Sequence, residues 1–430
     1  MFSLSIRKTL PSLLCLFFSG SVLNPVLAAE QINYYVSATE TVSNNILKSY
    51  REESGTTEML ALGAAGSKSF NSLSTGVNGQ VSYTRRDETL FDNARDDRLA
   101  GSAFLNVRLL PDTLNWSNTV TASSVWVDPS VSSNRDNVSD TTTVTTSPEL
   151  SVSLGKVDQL TASSAYSYSN QSALYDSERM KHSLNWQHTL KYGHLSLNGQ
   201  YQEVDNEFAS SDYNTKDIST IFFRQWRTVS LRTQLGITKV AYGDSESETT
   251  SDIIAIKTSW VVSPITDINA SFDRSAADSL QEFSIPLAET SNVTVSGYAS
   301  GLTETDNTSL SLLHQIGHNN VLLDLSYIAR TSLIGNNTLT ASDEKKVTLM
   351  LERELSKLTG LKFLHNYREV KFGSGLVTEN NLTKLTVTRQ LRPRLSLRTE
   401  VHYETQTSQF ALANYDELAG VISIRYSGFF

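Results

Sequence analysis

Apolar and polar residues alternate along most of the chain, each run lasting about ten residues before a turn breaks it. Leu73, Val77, Val81 and Tyr83 are interleaved with Ser74, Asn78, Gln80 and Ser82, and Leu114, Trp116, Val120, Ala122 and Trp126 with Asn115, Ser117, Thr119 and Thr121. The pattern returns at Leu195–Tyr201, at Val229–Ile237, at Val321–Tyr327 and at Leu395–Tyr403. A period of two is that of a strand with one apolar and one wet face. Soluble sandwiches also alternate, but their strands are usually about five or six residues. Runs of about ten match a tilted strand that crosses a bilayer.

The breaks fall into two alternating classes. Tight turns sit at 70–72, 111–113, 156–158, 192–193, near Arg227, at 264–267, 317–319, 357–359 and 392–394. Between them lie longer polar stretches at 43–57, 87–97, 128–140, 171–177, 204–213, 243–250, 274–306, 331–343, 373–380 and 407–415. Short turns on one side and longer loops on the other predict an all-β, antiparallel transmembrane barrel of about twenty strands (range about 18–22), with both ends periplasmic. The upper bound applies if Val293–Tyr298 forms part of another hairpin. Closure leaves no unpaired strand edge facing lipid.

The last thirteen residues, Leu418 to Phe430, predict the closing strand. Leu418, Gly420, Ile422, Ile424, Tyr426, Gly428 and Phe430 form an uncharged face, set against Ser423, Arg425 and Ser427 on the other. The strand is expected to pair with Ile32–Thr41, its even-numbered residues in lipid and its odd ones in the lumen. Ile422, Ile424, Tyr426 and the terminal Phe430 carry the resemblance to a general closing-strand signal. Gly428 stands where a larger apolar residue is expected.

Arg7 and Lys8, the apolar run Leu13–Phe18 and Val26-Leu27-Ala28 predict a secretory signal peptide over 1–28, leaving 29–430 as one barrel domain. Cys15, the only cysteine, lies in that signal, which excludes disulfides and thiolate metal sites from the mature chain. No later apolar run is long enough for a membrane-spanning helix. The net charge of −9 becomes −11 once two positive residues leave with the signal, and this excludes a nucleic-acid partner.

The opening strand ends Glu40-Thr41 and leads into Val42-Ser43-Asn44-Asn45-Ile46. With serine-rich alternating hairpins, proline-containing short turns and an aromatic terminus, it resembles the outer-membrane barrels associated with the PEP-CTERM/exosortase system. That resemblance implies a place beside exopolysaccharide assembly machinery, with polysaccharide-export components as candidate partners. As a barrel, the chain is also expected to meet outer-membrane lipid and the barrel-assembly machinery.

Catalytic constellations are weak. There is no Gly-x-Ser-x-Gly elbow and no His-Glu-x-x-His helix. The seven histidines, His182, His188, His194, His314, His318, His365 and His402, have Ser and Asp everywhere around them, so a Ser-His-acid reading carries little information. Acidic loops at Asp92–Asp97 and Asp244–Glu248 read as solvated before they read as Ca²⁺ ligands. No catalytic residue, cofactor or metal ligand is assigned, and the chain is expected not to be an enzyme.

The lumen is more informative. Alternation turns Arg108, Arg232, Lys257, Asp324, Glu352, Arg398, Glu400 and Arg425 inward. They line either a hydrated passage that exchanges hydrogen bonds with a solute or simply the polar filling any wide barrel needs. Tyr34, Tyr83, Tyr166, Tyr168, Tyr201, Tyr327 and Tyr403, with Trp116, Trp126, Trp186 and Trp260, read as interface girdles. The apolar pieces of 274–306 predict a loop folded into the lumen as a constriction. The leading function is an accessory of exopolysaccharide export. A diffusion porin is the first alternative, and an outer-membrane hydrolase or an adhesion barrel the others.

Overall fold

Each alternating run forms a strand, and each predicted break falls between two strands. The structure, a computed structural model, describes residues 32–45, 54–69, 73–88, 95–110, 113–126, 138–171, 176–206, 212–242, 248–278, 285–286, 294–295, 302–333, 341–409 and 414–429. In chain order the strands are β1 (Ile32–Ser43), β2 (Gly55–Ser69), β3 (Leu73–Glu88), β4 (Arg95–Leu110), β5 (Leu114–Trp126), β6 (Val138–Ser153), β7 (Asp158–Gln171) and β8 (Ser177–Leu190). Then come β9 (Gly193–Asn206), β10 (Tyr213–Gln225), β11 (Val229–Tyr242), β12 (Glu248–Ser263), β13 (Thr266–Asp278), β14 (Ile285–Pro286) and β15 (Thr294–Val295). The remainder are β16 (Leu302–Ile316), β17 (Asn319–Ser332), β18 (Ser342–Ser356), β19 (Thr359–Phe372), β20 (Val377–Arg392), β21 (Leu395–Ser408) and β22 (Tyr415–Phe429).

All but β14 and β15 join one antiparallel sheet of 20 strands, and β22 pairs back onto β1. The sheet is therefore a closed barrel. Of 293–298 the described residues are Thr294–Val295, which form a two-residue ladder with Ile285–Pro286 outside the main sheet; the rest of that expected hairpin lies outside the described residues. Four periplasmic turns follow a register shift, at Arg108/Leu110, Val261/Ser263, Glu354/Ser356 and Gln390/Arg392. A bulge there adds local twist as the strand enters its turn.

The two faces separate by exposure. Leu235 is 61% exposed, and Leu60, Leu184, Ile256, Leu310, Val401 and Ile422 are exposed with it, each on the side turned away from the lumen. On β21 the outer run from Leu395 to Tyr403 is about 26 Å long and crosses about 20 Å of bilayer at a tilt of roughly 40°. Trp116, Trp260, Tyr34 and Tyr426 stand at its periplasmic edge, and Tyr166, Tyr327 and Tyr403 at its extracellular edge. Trp116 Nε1 donates to Thr146 Oγ1 at 2.8 Å, so its one polar atom is satisfied on the lipid side. The side chains of Tyr83 and Trp126 lie outside the described residues.

Above the extracellular tyrosines the outer face becomes charged. Arg274 makes a two-pronged bond to Asp306 at 2.6 Å on each arm, and Lys345 meets Glu369 at 2.7 Å. Lys239 bonds Glu248 at the rim and holds that carboxyl below its ordinary range.

At the seam, β1 and β22 run in register from Asn33↔Phe429 to Ser43↔Ala419. Leu418, Ile422, Ile424 and Tyr426 are exposed on the outside, while Glu417 and Ser423 are buried on the inside. Two glycines are required by neighbouring rings. Tyr34 lies directly across from Gly428, and a Cβ there would stand 2.6 Å from the ring. Gly428 thus admits the Tyr34 ring, which supplies the bulk expected at that position. On the inner face Tyr35 covers Gly63 in the same way, at 2.1 Å, and Arg425 lies 3.9 Å above that ring. Thr39 Oγ1 donates to Ser423 Oγ at 2.9 Å, and Leu418 N to Asn44 Oδ1 at 2.6 Å. Phe430 and the segment 1–28 lie outside the described residues.

Candidate functional site

The inner wall is the candidate site, and its charges fall into groups that the register assembles. Glu352 on β18 meets Lys362 on β19 at 3.5 Å. Asp324 sits between Ser311 and Thr348 of the neighbouring strands. Arg108, opposite Asn115, and Arg425, over Tyr35, lie toward the periplasmic end. Arg232 and Lys257 are directly opposed on β11 and β12, and both are exposed to the lumen.

Arg398 and Glu400 belong to a larger knot. Glu400, with a side chain only 5% exposed, contacts Lys384 at 3.1 Å, Arg398 at 2.5 Å and His402 Nδ1 at 3.4 Å, and accepts from Thr386 Oγ1 at 3.3 Å. A second knot forms around Glu344. Arg368 donates to both carboxylate oxygens, at 2.8 and 3.2 Å, and Arg330 to one, at 3.4 Å. Lys384, Glu344, Arg330 and Arg368 were absent from the residues that alternation singled out, and His402, on the polar side of the Leu395–Tyr403 run, was not counted among the lumen charges. On β18, β19 and β20 the outer face also carries charge near the extracellular end, at Asp343, Lys345, Glu369, Lys371 and Glu379, so the period-two signal fades there.

Ser43, Glu417 and His402 lie together at the seam, but in an order unsuited to acyl transfer. Ser43 Oγ donates to Glu417 Oε1 at 2.7 Å, and His402 Nε2 stands 3.6 Å from Glu417 Oε2. The hydroxyl is bound to the acid, and among the described residues no imidazole stands within hydrogen-bond reach to take its proton. His314 and His365 bond Thr266 and Thr383 at 2.8 and 3.0 Å, and neither imidazole has a carboxylate partner among the described residues. His188 pairs with Asp158 at 2.9 Å on the outer, periplasmic side.

The extracellular end of the lumen is narrowed by β13 and β16. The β12–β13 ladder stops at Ile254↔Arg274, although β12 runs on to Glu248 against β11, and β13 runs on to Asp278 against β16. Freed from β12, the hairpin end leans inward. Ala276 and Glu304 belong to the outer face of their strands by alternation, yet both meet inner-face residues. Ser251, buried on the inner face of β12, donates to Glu304 Oε2 at 2.6 Å. Ala276, with Leu333, packs against Val204, Tyr213 and Val240, a small buried cluster on the inner ends of β9, β10 and β11. Beyond the hairpin, β15 approaches β5, which borders neither β13 nor β16. The described parts of 274–306 therefore turn toward the lumen.

No protein-family model matches the chain, and no curated protein does. Among solved structures, a mutant of the ferric enterobactin receptor PfeA from Pseudomonas aeruginosa matches 92% of this chain and 80% of its own, at 9% identity and a TM-score of 0.54. The FrpB iron transporter from Neisseria meningitidis, in its F3-3 variant, matches over 94% and 83%, at 11% identity and a TM-score of 0.50. At such identities the likeness is one of fold. With its closed sheet, lipid-facing belt and aromatic girdles, the chain is an outer-membrane β-barrel. Its place is the outer membrane of a Gram-negative bacterium.

Proposed function

We propose that the barrel is a passage for polar, hydroxyl-rich cargo, and that this cargo is a secreted polysaccharide, making the protein an accessory of exopolysaccharide export. The observation that carries the passage is the inner wall. It is lined with Ser, Thr, Asn and Gln, and much of its charge is gathered into the knots around Glu400 and Glu344. Such a wall offers many exchangeable hydrogen bonds and few deep charge traps, which suits a hydroxyl-rich glycan, with or without carboxylates along it. The resemblance of the opening strand and serine-rich hairpins to exosortase-associated barrels supplies the nature of the cargo. The inward hairpin supports a restricted exit over a freely open one. A strain lacking the protein is expected to release less polysaccharide and to recover with the gene restored; normal release from the deletion strain would refute the export role.

The width of a barrel of 20 strands favours a second reading, a diffusion porin. Proteoliposomes decide between the two. A porin would pass small neutral sugars quickly, whereas the export reading expects slow permeation through the narrowed extracellular end.

A further inference from the structure

Several cations on the described inner wall have a partner. Arg330 and Arg368 share Glu344, Lys362 meets Glu352, Lys384 and Arg398 share Glu400, and Arg425 lies over Tyr35. Arg108, Lys181 and Lys346 stand without an ion-pair partner among the described residues, each beside neutral or already paired neighbours, whereas Arg232 and Lys257 face one another. They are direct cross-strand partners on one face, an arrangement of like charges that destabilises a ladder. Among the described residues neither has a carboxylate at ion-pair distance. Asp273, one diagonal step from Lys257, accepts from Ser275 Oγ at 3.4 Å instead.

The neighbours in the same row are suited to a sugar. Phe223 stands directly opposite Arg232, its ring stacked 5.1 Å from that of His194. On the other side Ser271 stands opposite Lys257, its hydroxyl 2.7 Å from that of Ser309. From Phe223 to Ser271 the row spans about 14 Å, three inter-strand spacings, enough for more than one pyranose ring. An apolar ring face could lie on Phe223, carboxylates on the paired cations, and hydroxyls on the serines. A charge-assisted bond to each cation would offset the repulsion that the free pair carries.

We propose that Arg232 and Lys257 form a recognition site for carboxylated sugar residues on the lumen wall. This deepens the polysaccharide reading and rests on it only for the site's use. Binding is measured on the full mature chain, folded in detergent micelles, by calorimetric titration with tri-galacturonate, maltotriose and inorganic phosphate. Tri-galacturonate should bind, maltotriose should not, and phosphate should bind more weakly. The double variant R232Q/K257Q should weaken tri-galacturonate by about tenfold or more, with K346Q, elsewhere on the inner wall, unchanged. Because the double variant removes a repulsion, it should fold at least as well as the parent, so loss of binding cannot be put down to misfolding. Unchanged affinity in the double variant, or equal binding of maltotriose, would overturn the proposal. Phosphate binding as tightly as tri-galacturonate would overturn the sugar assignment. Since the titration involves no transport, a deletion strain with normal polysaccharide would remove the export role without touching this result.

Discussion

Replacing Glu400 with Gln tests whether the inner-wall knots hold the barrel together or merely decorate it. Glu400 and Lys384 are buried, with side chains 5% and 8% exposed, while Arg398 is 19% exposed. Gln keeps the shape and one acceptor oxygen but removes the charge that three cationic or protonatable groups face. Removing one partner of a buried pair typically costs about 3–5 kcal/mol, because the survivor is left as an uncompensated charge. Here Arg398 can swing toward the lumen, whereas Lys384 is too enclosed to do so. The expected loss is therefore at the lower end, about 3 kcal/mol. Lys384→Met should cost less, about 1 kcal/mol, since Glu400 keeps Arg398, His402 and Thr386. Removing both should cost about 2 kcal/mol, so the pair couples by about 2 kcal/mol. Reversible urea unfolding in lipid vesicles, followed by tryptophan fluorescence and heat-modifiable gel mobility, reads all four forms. A Glu400→Gln variant within about 1 kcal/mol of the parent, or costs that simply add, would refute the reasoning.

Two further predictions concern the seam and the narrowed mouth. Gly63→Val drives a Cβ into the Tyr35 ring and displaces Arg425, so it should cost about 1–3 kcal/mol in the same unfolding assay. Gly428→Val should cost less, because the Tyr34 ring borders lipid and has room to turn; the reverse order would show that the rings are not what requires these glycines. At the mouth, Glu304→Ala removes the bond to Ser251 and should raise or destabilise single-channel conductance. Removing 279–301 and joining Asp278 to Leu302, which face each other in the ladder, by a two-residue turn should raise it further; conductance unchanged in both would exclude the hairpin as the constriction.

The architecture was legible because it depends on the two signals a sequence states most directly, period-two alternation and turn chemistry. Each predicted turn and loop separates two strands, and the closing strand lies against β1 with Leu418, Ile422, Ile424 and Tyr426 outward. Gly428 was readable only as a departure. Its reason is Tyr34, almost four hundred residues earlier, and only closure of the sheet brings the two together.

The mouth and the charge groups depend instead on register between strands, which no single run encodes. Nothing in the alternation of β12 or β13 says that their ladder stops at Ile254↔Arg274, yet that stop frees the hairpin to lean inward and carries outer-face residues to inner-face partners. The same holds for Arg232 and Lys257. Alternation turns each toward the lumen, but only the β11–β12 register makes them neighbours, and only the surrounding ladders show that the carboxylates of the wall stand beside Lys362, Lys384 and Arg398 and not beside this pair. A single offset of one residue would place Lys257 on the lipid face and dissolve the pair. Chemistry on a barrel wall is therefore a property of pairs of strands. That is why the described inner wall holds neutralised knots beside a row in which two unpaired cations face one another, although the individual residues look alike in sequence.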